Sequence, residues 1–121
     1  QLIAGKIAAA RHMLAEGGRI TLLTVLENVP GYVAEFVTVK PENHLSVRIK
    51  AKLDEVAAKE GGVETAVETG KAGVRIASYA SENDVDLIVI GSHKPNAQDY
   101  FLGSTASRVA RRAPCSVYIM R

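Results

Sequence analysis

Apolar residues recur along this chain with two alternating spacings. Leu2, Ile3, Ile7, Ala10, Met13 and Leu14 share one face of a helix running from Leu2 to Ala15. Gly17-Gly18 supplies its stop. Ile20 to Leu26 (ITLLTVL) is a short apolar run rich in β-branched residues, the pattern of a strand buried on both faces. Turn signals follow at Asn28, Pro30 and Gly31, and Tyr32 to Val39 reads as loop or irregular structure. Pro41-Glu42-Asn43 opens a second helix, with Leu45, Ile49, Leu53 and Val56 at helical spacing and Gly61-Gly62 at its end. Val63 to Glu68 alternates apolar and charged, as a strand near a sheet edge does. Gly70 and Gly73 form the turn into a third helix, whose Val74, Ile76, Ala77 and Ala80 face the sheet. Asp86 to Ile90 (DLIVI) carries the strongest strand pattern and stops at Gly91. Gly103-Ser104 starts a last helix, Thr105 to Arg112. Pro114 terminates it, and Cys115 to Met120 form a final strand.

This order predicts an α/β domain, residues 1–121, with an open, doubly wound parallel sheet and helices on both faces. A chain that opens on a helix leaves a first parallel strand unsupplied, so a strand is expected ahead of Gln1. Composition narrows the function classes. A net charge of +2 is too small for the clustered basic surface of a nucleic-acid binder. Two Phe, four Tyr and no Trp make a poor base-stacking platform. One cysteine cannot form an internal disulfide, which fits a cytoplasmic location. No apolar run approaches the roughly 18 residues that span a membrane, and no signal peptide is visible.

Chemistry concentrates between Gly91 and Thr105. In open α/β sheets, ligands bind beyond the carboxyl ends of the strands, where strand order reverses. Gly91 marks such an end and permits close backbone approach. Gly103-Ser104-Thr105 lies at a helix start, where free N–H groups and the helix dipole attract anions. Ser92, Ser104 and Thr105 add hydroxyls, and His93 and Lys94 add further donors. The set suits a polyphosphate. Each part also has a structural reading, the glycine as a turn and the Gly-Ser as an N-cap.

The stretch from Asp86 to Arg121, with DLIVIG, Gly-Ser before the last helix and Ala113-Pro114-Cys115 before the last strand, resembles the C-terminal signature of the universal stress protein family. The resemblance extends back through Val63 to Gly70, Ile20 to Leu26 and the first helix. It implies a five-stranded Rossmann-like fold of the adenine-nucleotide α-hydrolase type. It also implies an adenine nucleotide (ATP, or AMP or ADP) with Mg²⁺ at Gly91, Ser92, His93, Lys94, Gly103, Ser104 and Thr105. The family's nucleotide motif is a Gly, two residues, a Gly, nine residues, then Gly-Ser or Gly-Thr. Here Lys94 stands at the second Gly, and eight residues separate it from Gly103. A branch of the family similarly carries Gly-Ser-His, a basic residue and Pro. A lysine there exchanges backbone contacts for a charge on the phosphates. By the same resemblance the backbone of Val25 holds the adenine, and residues 115–120 pair with a second subunit to form a homodimer.

Other candidates have plainer readings. No GxxxxGK[ST] or GxGxxG is present. His12 and His44 lack metal-ligand spacing, and Asp99 reads as a solvated loop carboxylate rather than a Mg²⁺ ligand. Cys115 reads as a buried small hydrophobe. Arg108, Arg111 and Arg112 suit a helix C-terminus without any nucleic acid. Three functions follow: a nucleotide-holding stress-response and signalling module, a slow ATPase or self-phosphorylating protein, or an interaction protein of the same fold without nucleotide.

Overall fold

The computed structural model describes residues 2–27, 41–92 and 102–120. Within them the chain runs α1 (Leu2–Met13), β1 (Ile20–Leu26), α2 (Pro41–Glu60), β2 (Val63–Thr69), α3 (Ala72–Glu82), β3 (Leu87–Gly91), α4 (Ser104–Arg112) and β4 (Ser116–Met120). Every element expected from the sequence within these residues is present, with ends shifted by one or two positions. Tyr32 to Val39 lies outside the described residues.

All pairing among the described residues is parallel. β1 lies beside β2 with Ile20 opposite Val63 and Leu26 opposite Thr69. β3 lies beside β4 with Leu87 opposite Ser116 and Gly91 opposite Met120. Among the described residues the four strands form two parallel pairs. The α/β class with parallel strands stands. One expectation changes with the pairing. β1 and β3 are half-buried along their whole lengths, not enclosed on both faces. Among the described residues each has a single strand neighbour.

The best-packed region is the α3–α4 contact. Gly73, Ala77 and Ala80 form a stripe of small buried residues on α3. Ala106 and Val109 answer from α4, and Val109 is fully enclosed. Gly73 belongs to α3 itself, one residue past its start, and not to the preceding turn. A Cβ built on it would lie 2.7–2.8 Å from Cβ, Cγ and Cδ of Arg108. The glycine lets the two helices approach, so it is kept despite its poor helix propensity.

α1 is packed more loosely than its pattern suggests. Ile7 is buried, but Ile3, Met13 and Leu14 are exposed. α1 lies over both β1 and β3. Arg11 fastens the helix at its other end, donating from Nη2 to the carbonyl of Glu60 at 2.7 Å and to that of Gly61. A cation there also complements the C-terminus of α2.

Two polar clusters join helices to β2. Arg75 donates to Glu68 at 3.1 Å and to Glu82 at 2.6 Å. Thr65 Oγ1 donates to Asp54 Oδ1 at 2.5 Å, and Lys50 adds an ion pair at 3.0 Å. The Thr65 hydrogen bond, then that of Lys50, holds the Asp54 carboxyl below its ordinary pKa.

Two outcomes follow from this packing. Gly73→Ala should destabilise the fold by about 1–3 kcal/mol in chemical denaturation, as overpacking does. The gain in helix propensity, at most about 1 kcal/mol, does not offset it. Unchanged stability would mean that α3 and α4 are not in close contact. For Asp54, the folded-state pKa is depressed, so its contribution is present above the unfolded value and is lost as pH falls through the folded one. In a carboxyl NMR titration, Thr65→Val should move Asp54 back up toward its ordinary value.

Candidate functional site

A parallel strand delivers its carboxyl end to the same edge as the next helix start. At that edge β3 ends with Gly91. Ser92 follows, 3% exposed, and is pinned from two sides. Its N–H donates to the carbonyl of Met120 at 2.8 Å, which extends the β3–β4 ladder by one residue. Its carbonyl accepts the N–H of Gly103 at 2.6 Å. This second bond draws the start of α4 onto the end of β3.

Gly103 is the N-cap of α4 in an extended conformation, φ −60° and ψ 155°. Its carbonyl accepts the Ser107 N–H at 2.9 Å and closes the first turn. It has no side chain to offer, and among the described residues no side chain caps this helix. Ser104 and Thr105 occupy the first turn and are exposed. The first turn therefore presents N–H donors and two hydroxyls outward, the chemistry that suits an oxyanion.

α3 provides the contrast. The Ala72 N–H at its start donates to Glu27 Oε2 at 2.8 Å. Glu27 immediately follows β1, and the Gly70 N–H donates to the carbonyl of Leu26 at 2.9 Å, which brings the two loops together. One helix start at this edge is thus filled by the protein's own carboxylate. The other is not, among the described residues.

The structure brings together Gly91, Ser92, Gly103, Ser104 and Thr105 from the sequence-derived set. Val25 lies in the other strand pair, opposite Glu68. His93 and Lys94 lie outside the described residues, as does Asp99. Sequence reasoning missed Glu27 and Lys6. Glu27 had a faint signal, a carboxylate just past a strand end. Lys6 had none, because its place depends on how α1 crosses the sheet. Its Cε and Nζ lie 3.5 Å from the position a Cβ would take on Gly91.

Cys115 is half-buried rather than buried. Burial, then the nearby Asp86, pushes its thiol above the ordinary value. Both effects disfavour the thiolate, so the residue is poorly suited to nucleophilic work. Among the described residues no three His, Cys, Asp or Glu side chains gather as a metal site, and no helix is long and apolar enough to cross a membrane.

Comparison with known proteins identifies the family. A sequence model of the universal stress protein family matches residues 6–121. A universal stress protein of Methanothermobacter thermautotrophicus is 36% identical over 52 residues, which are 43% of this chain and 36% of that protein. Universal stress protein G of Salmonella typhimurium is 30% identical over 84 residues, 66% of this chain and 59% of that protein. The matched stretches thus span less than two thirds of either relative. The solved structure of universal stress protein UspA from Lactobacillus plantarum superposes with a TM-score of 0.64 at 25% identity, covering 99% of this chain and 86% of that one. With the family model matched along nearly its whole length, this chain belongs to the universal stress protein family.

Proposed function

We propose that this protein is an ATP-binding stress-response module with slow or no turnover, holding the nucleotide at the carboxyl edge of β3. The observation that carries the reading is the hydrogen bond from the Gly103 N–H to the Ser92 carbonyl. It sets a helix start without a described side-chain cap beside a strand that ends in glycine. The first-turn N–H groups of α4 and the hydroxyls of Ser104 and Thr105 are the groups that would hold phosphate oxygens. Gly91 and Gly103 leave room for the phosphates to approach the backbone. The backbone of Val25, one residue from the carboxyl end of β1, is the proposed adenine contact. Bound Mg²⁺ would offset the phosphate charge. His93 and Lys94 complete the proposed set.

A homodimer through β4, in a cytoplasmic setting, belongs to the same reading. β4 pairs only with β3 among the described residues, and Ser116 and Tyr118 stand exposed on it. An edge strand of this kind is a ready template for a second copy.

A thermal-shift titration with Mg-ATP, with Mg-GTP as control, tests the reading. Stabilisation should grow as RT ln(1 + [L]/Kd), reaching about 2.7 kcal/mol at a hundred times Kd. Gly103→Val should abolish the ATP response. No shift at millimolar ATP would mean that this edge is structural and that the protein acts through its surfaces.

A further inference from the structure

We propose that Lys6 is a phosphate contact of this same site and makes it favour di- and triphosphates over monophosphates. The inference rests on the nucleotide reading and adds to it a residue from the opposite end of the chain. α1 approaches the last residues of β3 and β4 at Gly5 and Lys6. A Cβ on Gly5 would lie 3.9 Å from Met120 Cε, and a Cβ on Gly91 would lie 3.5 Å from Lys6 Nζ. Gly91 and Met120 are register partners, so both contacts fall on the last rung of the β3–β4 ladder. The next residue, Ser92, carries the carbonyl that anchors Gly103 at the start of α4.

Three features make this ammonium a ligand group rather than a surface charge. It is on a half-buried side chain. It has no carboxylate partner among the described residues, whereas Lys50 and Arg75 both do. It also stands where the strand carries no side chain, so nothing on Gly91 screens it from the strand end. A Cβ at 3.5 Å would be in ordinary contact with the ammonium. A lysine ammonium is a compact point charge on a flexible stem, which suits the outer phosphates of a chain more than a fixed planar group. Its attraction should therefore grow with the number of phosphates, while adenosine should not sense it.

The test is a calorimetric titration of wild type, Lys6→Gln and Lys6→Arg with adenosine, AMP, ADP, ATP and inorganic tripolyphosphate. Lys6→Gln should weaken ADP, ATP and tripolyphosphate by about ten- to a hundredfold, the usual cost of one charge-assisted contact. Adenosine and AMP should change little. Lys6→Arg should recover most of the loss, which excludes general damage to α1. Unchanged ATP binding in Lys6→Gln, or equal weakening of adenosine and ATP, would overturn the inference and leave the nucleotide reading standing. Wild type that binds tripolyphosphate in a Lys6-dependent way, but shows no preference for adenine nucleotides, would keep the contact and reject the adenine. Wild type that binds neither would reject both.

Discussion

Parallel pairing is the constraint on which the rest of this structure depends. In a parallel ladder each strand must be followed by a crossing back, and here helices supply it. Strand carboxyl ends and helix starts therefore collect at one edge. Strand ends and helix starts both leave backbone groups that pairing within the element cannot satisfy. The chain meets this requirement differently at two places. At α3, Glu27 reaches in from the end of β1 and accepts the Ala72 N–H. At α4, the N–H of Gly103 is satisfied by the carbonyl of Ser92, and the N–H groups after it face outward without a described side-chain cap. The first arrangement is complete in itself, and the second has the capacity to take an anion.

Packing behind that edge is uneven in an informative way. The stripe of Gly73, Ala77 and Ala80 brings α3 close to α4, where Ala106 and Val109 are buried. This fixes α4 firmly, and with it the orientation of its N-terminus. α1, which carries Lys6, buries Ile7 and leaves Ile3 and Met13 exposed, with Leu14 exposed just beyond its end. The proposed site thus joins a closely packed helix with one that leaves more of its apolar side chains exposed. A backbone N–H array needs the first kind of support, and a flexible ammonium tolerates the second.

Most of the fold was legible in the sequence because periodicity reports local structure directly. ITLLTVL and DLIVI read as strands of a parallel sheet, and Gly61-Gly62 as the end of a helix. Burial was less legible, because it depends on neighbours that the pattern does not name. β1 read as buried on both faces, yet among the described residues it has one strand partner and is half-buried. The face drawn through Ile3, Met13 and Leu14 is a sound helical face, yet all three side chains are exposed among the described residues. Gly73 read as a turn residue because its real reason, the nearness of Arg108, lies 35 positions away in sequence. Of the proposed site, Gly91 and Gly103 to Thr105 were read from their places at a strand end and a helix start. Lys6 stayed hidden, because no local pattern marks a lysine whose neighbour is a glycine in another element.

The central claim is that the anion-holding surface is the junction of β3 and α4. Amide chemical shifts of the protein, followed by NMR through a titration with Mg-ATP, test it most directly. The account predicts saturable changes concentrated at Gly91, Ser92, Gly103, Ser104 and Thr105, with the capped start of α3 at Ala72 little affected. Changes centred on Ala72, or spread over the helix C-termini with no saturation, would contradict it.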